Sequence, residues 1–349
     1  MKLEIGLTLF LILLLLMGCP DRNPRVGFIS KVPVGYNQSE VVTWSGSKIW
    51  FGYTTLTTDN AVMTLGSGQS TQLIKVGNQP VGIAVWQNGN RVYAINNGGL
   101  SISVIAVSDN LSNDNVVDSI VDASFHNMGD AVVTADGRYL YVATDTNAIS
   151  VISTTTDKVI TTFTDSSFNY PAHLVADALN RYVFVSESRG NAVSVISTTT
   201  NTVVKTIGVG ISPNGMAQTP DGNWLFVVNS GSNNISVIDV NSLIVSRTVT
   251  DTSFNNPQRI ALTYKCAYGL VSEYNSGNVS LISQDALITG SGPAVIEDVS
   301  IGKLPYDIGV LGPTYENVWP SEVAVTLKGE NNVVILVYPL ITEIKNICF

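Results

Sequence analysis

Asn147-Ala-Ile-Ser-Val-Ile-Ser153 recurs along this chain almost unchanged. Close copies are Asn191-Ala-Val-Ser-Val-Ile-Ser197, Asn233-Asn-Ile-Ser-Val-Ile-Asp239 and Gly277-Asn-Val-Ser-Leu-Ile-Ser283. Weaker copies are Asn60-Ala-Val-Met-Thr-Leu65, Leu100-Ser-Ile-Ser-Val-Ile105 and Asn331-Asn-Val-Val-Ile-Leu336. The fourth residues of the copies are Met63, Ser103, Ser150, Ser194, Ser236, Ser280 and Val334, spaced by 40, 47, 44, 42, 44 and 54 residues. Seven β-branched segments at a period of about 45 residues match a propeller, a ring of small sheets each burying its faces against its neighbours, with an open solenoid as the alternative stacking.

A second landmark fixes the register. Pro80, Pro171, Pro213 and Pro257 each stand 23 residues before the fourth residue of their copy. Met128 takes that place at 22, Gln38 at 25 and Pro305 at 29. The unit from proline to repeat is nearly constant in length, and variation falls between one unit and the next. Each unit reads as four strands. An apolar stretch such as Gly82-Ile-Ala-Val85 follows the proline, then a tight turn such as Asp136-Gly137 or Asp221-Gly222. Such pairs tolerate the positive φ angles of short hairpins. Next come β-branched and aromatic runs such as Tyr139-Leu-Tyr-Val-Ala143 and Trp224-Leu-Phe-Val-Val228, then the repeated segment, then a closing strand such as Val203-Val-Lys-Thr-Ile207. No helical periodicity of useful length is present.

Together, the Pro-x-x-Ile/Met-Ala opening, the Asp-Gly turn, the Tyr/Phe-Val strand and the Asn-x-Val/Ile-Ser-Val-Ile strand resemble the YVTN-family β-propeller repeat of cell-envelope and surface-layer proteins, across residues 26–349. The resemblance implies an all-β fold: a seven-bladed β-propeller of four-stranded antiparallel blades. The first copy departs through Trp44 and Trp50, and the last through an insertion around Gly312 to Ser321. Val26-Gly-Phe-Ile-Ser-Lys-Val-Pro-Val-Gly35 reads as a fourth strand lying ahead of the first copy. It is expected to close the ring on the last blade and remove an open edge. The tail Ile341-Thr-Glu-Ile-Lys-Asn-Ile347 competes for that place.

The first 18 residues read as a leader. Lys2 precedes the apolar run Leu7 to Met17, which is shorter than the roughly 20 residues of a membrane span and has the size of a signal-peptide core. It ends Leu16-Met17-Gly18-Cys19, which resembles a bacterial lipobox. That resemblance implies cleavage before Cys19, lipidation of its sulfur (palmitate being a typical added chain) and a tether over 19–25. Multiple acyl chains give stable anchoring. Pro20 stands where an aspartate would retain some lipoproteins in the inner membrane, so the outer membrane is the expected address.

Composition excludes several classes. Of 349 residues, 45% are hydrophobic and only 13% charged, which is incompatible with intrinsic disorder. The net charge of −9 argues against nucleic acid as a partner. With two histidines and three cysteines, a multi-zinc or disulfide-scaffold protein is excluded. No Gly-x-Ser-x-Gly elbow, phosphate-binding glycine loop or Cys-x-x-Cys-His haem site occurs.

Candidate chemistry gathers two residues after each proline position, where the innermost strands begin. Around the ring this gives Glu40, Gly82, Asp130, His173, Gly215, Arg259 and Asp307. Five are ionisable in a chain poor in charge. Carboxylates with one imidazole suit a divalent cation at the channel mouth, and Arg259 suits an anionic ligand group. Certain propeller lactonases and lyases carry a carboxylate-bound metal there, so the resemblance admits a metal-assisted hydrolase or lyase. The other reading is a solvated funnel whose charges pair with one another and keep the mouth wet. On that reading the chain is a lipid-anchored, non-catalytic binding module with a protein or glycan partner in the envelope, and no cofactor. Partnership with a periplasmic redox enzyme is a third reading, although no redox group is evident. The repeated Phe125, Phe168 and Phe254 read as plugs between blades. Cys266 and Cys348 are left either to form one disulfide or to stay as free thiols.

Overall fold

The computed structural model describes residues 27–33, 38–45, 50–66, 72–86, 91–107, 114–144, 147–263, 267–311, 321–328 and 332–338. They form seven four-stranded antiparallel sheets. Six follow chain order, over residues 38–75, 80–121, 131–164, 171–208, 213–250 and 257–300. The seventh combines 305–338 with Gly27–Pro33, which pairs with Asn332–Tyr338 as its outer edge strand. The innermost strands of successive sheets touch in sequence order, and that of the seventh touches that of the first. This is the arrangement of a β-propeller.

Burial explains the strand sequences. In the fourth sheet, Tyr182–Glu187 and Ala192–Ser197 are buried at five of six positions each. Both faces of these middle strands are covered by neighbouring sheets, so they read as nearly continuous apolar runs rather than alternating ones. The outermost strand, Thr202–Gly208, is mostly exposed. It is joined to its partner through a register shift between Val195 and Ile196, and the same shift recurs between Val151 and Ile152 and between Val237 and Ile238. A bulge of this kind twists an exposed edge away from intermolecular pairing.

The repeated segment has two structural reasons. Asn60, Asn191 and Asn233, which open it, sit at φ near +50°, a left-handed conformation that asparagine adopts more readily than most residues. The serine at its fourth position is buried in every sheet where it occurs, and a buried hydroxyl requires partners. Ser103 Oγ accepts from Asn96 Nδ2 at 3.0 Å and from the Gly77 N–H at 3.2 Å. Ser236 Oγ accepts from Asn229 Nδ2 at 3.0 Å. Both serines hold the asparagine that ends the second strand, and Ser103 also ties it to the loop that enters the sheet.

The phenylalanines fill the gaps between sheets. Phe168 packs with Tyr141, Ile149 and Val151 of the third sheet and Leu174, Val185 and Ile196 of the fourth. Phe125 and Phe254 bridge the second to third and the fifth to sixth sheets in the same way. At the opposite end, fully buried Asp177 accepts from Arg181 Nε at 2.8 Å and from Gln218 Nε2 of the next sheet at 2.7 Å.

One feature was not anticipated from periodicity. A six-residue helix, Gln284–Thr289, joins the third and fourth strands of the sixth sheet. The Ser283 hydroxyl accepts from the Ala286 N–H, and Gly290 ends the helix at φ 76°. It is too short for its period to be read. Among the described residues, no helix is long and apolar enough to cross a membrane.

Candidate functional site

The innermost strands begin at the proline itself, as in Pro171–Ala176, Pro213–Gln218 and Pro257–Leu262. Proline tolerates this place because it needs no ladder partner for a missing N–H. Each strand then passes through a bulge. The pairing skips from Pro171 to His173, from Pro213 to Met216, from Pro257 to Ile260 and from Pro305 to Ile308. Gly215, Arg259 and Asp307 therefore lie inside the bulge, where side chains are re-aimed. The bulge amides find hydroxyls on the facing strand: Arg259 N–H donates to Ser272 Oγ at 3.1 Å and Asp307 N–H to Thr326 Oγ1 at 3.0 Å. In the third sheet the corresponding strand is only Ala131–Val133, and Asp130 precedes it.

Side chains at these positions reach across to the neighbouring sheet, from within the bulge or beside it. Asp130 Oδ2 accepts from the Leu174 N–H at 2.6 Å, joining the third sheet to the fourth. His173 Nδ1 accepts from the Met216 N–H at 3.2 Å, joining the fourth to the fifth. Arg259 donates to Asn214 Oδ1 on the fifth sheet, and its Nε lies 3.4 Å from Asp307 Oδ1 on the seventh. Its guanidinium also stands 5.5 Å from the centre of the Tyr306 ring. Where the position is glycine, the backbones close up instead. A Cβ on Gly215 would come within 2.6 Å of Arg259 Cα, and one on Gly82 within 2.5 Å of the Gly129 carbonyl oxygen. Gly215→Ala forces a backbone shift between the fifth and sixth sheets and is expected to cost about 1–3 kcal/mol. A denaturant midpoint equal to wild type would contradict that packing.

Asp130, Arg259 and Asp307 are 5–8% exposed, so they do not form a solvated lining. The structure brings the candidates together as two pairs. His173 Nε2 faces Asp130 Oδ2 at 3.9 Å, and Arg259 faces Asp307. Among the described residues, no group of three histidine, cysteine, aspartate or glutamate side chains could hold a metal ion. The Glu40 backbone belongs to the innermost strand Gln38–Ser45, and its side chain lies outside the described residues. Cys19, Cys266 and Cys348 also lie outside them.

His173 is neutral at ordinary pH. Burial pushes its pKa down to about 4, with Asp130 raising it somewhat and Arg259 lowering it. Because Nδ1 accepts from Met216, the ring proton sits on Nε2. An unfolded histidine binds its proton near pH 6.5. Between there and about pH 4 the unfolded chain holds a proton that the folded one lacks, so this contribution to stability is lost as pH falls. Nitrogen-detected NMR is expected to show the Nε2–H tautomer of His173 unchanged from about pH 5.5 upward. An imidazolium signal near pH 6.5 would contradict this burial.

Several residues of this region escaped sequence reading: Asn214, Gln258 and Tyr306 near Arg259, and Glu187 and Glu273 at the ends of second strands. Asn214 Nδ2 donates to Gln258 Oε1 at 2.8 Å. The signal that could have found them is position within the repeat, since Asn214 and Gln258 both directly follow the proline.

No family model matches this chain, and no curated protein does. Among the solved structures that do match is hydrazine synthase of Kuenenia stuttgartiensis, with a TM-score of 0.70 and 16% identity over 88% of this chain and 96% of that one. At that identity the likeness is one of fold, and the fold is a β-propeller.

Proposed function

We propose that this chain is a lipid-anchored binding module of the cell envelope: a closed seven-bladed propeller of the YVTN-like kind, held to the membrane through Cys19 and presenting its loops to a protein or glycan partner. The N-terminal strand on the outer edge of the seventh sheet fastens the ring. The observation that carries a non-catalytic reading is how the central side chains are used. Asp130 and His173 each accept a backbone N–H of the next sheet, and Arg259 is engaged by Asn214, Asp307 and Tyr306. Groups committed to holding sheets together are poorly placed to converge on a substrate. The fold hosts many activities and by itself supports none of them.

Two measurements on the full chain expressed in a bacterium test this reading. The first is incorporation of an alkyne-labelled fatty acid with membrane fractionation. Label and membrane retention are expected in the wild type and lost in Cys19→Ser; retention of both by the variant overturns the lipid anchor. The second is metal content of the purified protein. The binding reading expects no stoichiometric metal. About one equivalent of calcium, zinc or manganese that disappears in His173→Ala/Asp130→Asn would replace it with a metal-assisted hydrolase or lyase.

A further inference from the structure

The loops 165–169 and 251–255 share the sequence Asp-x-Ser-Phe-Asn, and each lies over a glutamate ending the second strand of its sheet. Glu187 and Glu273 are fully buried. Glu187 Oε2 accepts from the Asn169 N–H at 2.7 Å, and Glu273 Oε2 accepts from the Asn255 N–H at 2.7 Å. In each, the other oxygen, Oε1, is buried without a hydrogen-bond partner. Each loop is also gripped by its buried phenylalanine, Phe168 or Phe254. Within the loops, Asp165 accepts from the Ser167 N–H at 2.9 Å and Asp251 from the Ser253 N–H at 3.0 Å.

The arrangement is specific to this loop type. Where the entering loop carries glycine instead, the second strand ends in asparagine. A Cβ on Gly77 would meet the Asn96 side chain at 2.5 Å, and one on Gly210 would meet that of Asn229 at 2.6 Å. The third copy of the loop, Asp122 to His126, faces a sheet whose second strand ends in Thr144. It has the aspartate, serine and phenylalanine but no carboxyl beneath.

The charge facing each glutamate is of one sign. Asp165 faces Glu187 from the loop, with the Ser194 hydroxyl alongside on the neighbouring strand. Asp251 from the loop and Asp298 from the outermost strand face Glu273, and Asp298 is itself bonded to Ser280 Oγ at 2.6 Å. No cation acts on either carboxyl among the described residues. A neutral carboxyl fits such a place, and an ionised one does not.

We propose that Glu187 and Glu273 are proton-operated latches: protonated, each holds its Asp-x-Ser-Phe-Asn loop shut on its sheet, and ionised, each releases it. The proton passes to water and leaves a buried carboxylate opposite a second negative charge. Opening the loop admits the water that the carboxylate requires. Burial pushes Glu187 up to about 7 and Glu273 up to about 8, with the neighbouring carboxylates adding to it and with the loop N–H and the hydroxyl of Ser194 or Ser280 opposing it. The latch therefore works around neutral pH, where an envelope protein meets the medium. It goes beyond the binding reading and does not depend on which partner the loops meet.

Amide hydrogen exchange on the full chain tests it, after correction for the intrinsic pH dependence of exchange. Between about pH 6 and about pH 9, protection at Asn169 and Asn255 is expected to fall on the order of tenfold or more, while the 122–126 loop stays constant. Glu187→Gln and Glu273→Gln keep an acceptor and remove the charge, so each is expected to hold its own loop shut across the range. Equal behaviour of all three loops, or Gln variants that open like the wild type, overturns the proposal. Carbon-13 titration of the wild-type glutamates keeps the question decidable if a variant does not fold. Carboxyl midpoints near neutrality, tracked by the loop amides, support the latch, and ionisation of both carboxyls below about pH 5 overturns it.

Discussion

Phe254→Ala lowers the unfolding free energy by about 3–5 kcal/mol, and Phe168→Ala does the same. The two side chains are 3% and 5% exposed and stand in the seams between sheets. Phe254 lies in one buried cluster with Phe226, Val228 and Val237 of the fifth sheet and Ile260, Val271 and Ile282 of the sixth. A truncation there removes apolar burial from two sheets at once. The resulting space is walled by strands whose ladders resist collapse, so the cavity persists and adds to the loss. Urea denaturation of the full chain is expected to show a lower midpoint with an unchanged slope. Tyr170→Ala, at a 40% exposed loop position, is expected to change stability by less than about 1 kcal/mol. A loss below that figure for Phe254→Ala would mean that its ring is not seated in the seam.

The second large effect is a fall in stability as pH rises from about 5 to about 9. Unfolded glutamates ionise near 4.5, whereas burial holds Glu187 at about 7 and Glu273 at about 8 in the folded chain. Between those limits the folded protein keeps protons that the unfolded chain has released. Raising the pH therefore favours unfolding, and the loss is complete only above the folded values. At about 1.4 kcal/mol per pKa unit, the loss over the full window is about 3 kcal/mol for Glu187 and about 5 kcal/mol for Glu273, reduced by whatever the loops recover by opening. His173 acts in the opposite sense and at lower pH, since its folded value lies below its unfolded one. Denaturation of the wild type and of Glu187→Gln/Glu273→Gln at a series of pH values separates the contributions. The double variant is expected to lose most of the slope above about pH 7.5, where histidine no longer titrates in either state. An unchanged slope in that variant would assign the effect elsewhere.

Both effects come from residues that a repeat alignment reveals only in part. The phenylalanines could be picked out because they recur at one place in three loops, and a large apolar residue in a polar loop has few uses other than filling a gap. The two glutamates could not. Glu187 and Glu273 end strands whose counterparts end in Asn96, Thr144 and Asn229, so no common residue type marks the position. What links each glutamate to its loop is an 18-residue separation in sequence closed by a hydrogen bond, and only the folded sheet places the two ends together.

The candidate site divides in the same way. The repeat brought Asp130, His173, Arg259 and Asp307 to equivalent positions, and each does stand at the start of an innermost strand or just before it. Equivalent position does not determine direction. In the sixth and seventh sheets the bulge after the proline turns Arg259 and Asp307 toward a neighbouring sheet, and register within that bulge depends on which hydroxyl faces it, as Ser272 and Thr326 do.

By itself, the sequence determined the period, the four-strand unit, the turns and the all-β class. These follow from local rules: short apolar runs rich in β-branched and aromatic residues set strands, and Asp-Gly and Asn set turns. Tertiary structure alone decided that the central charges bridge sheets as two pairs, that the repeated serines act as buried hydrogen-bond hubs, and that two carboxyls lie where ionisation is resisted. Those outcomes depend on burial and on distances between residues far apart in the chain, and burial is set by the packing of one sheet on the next.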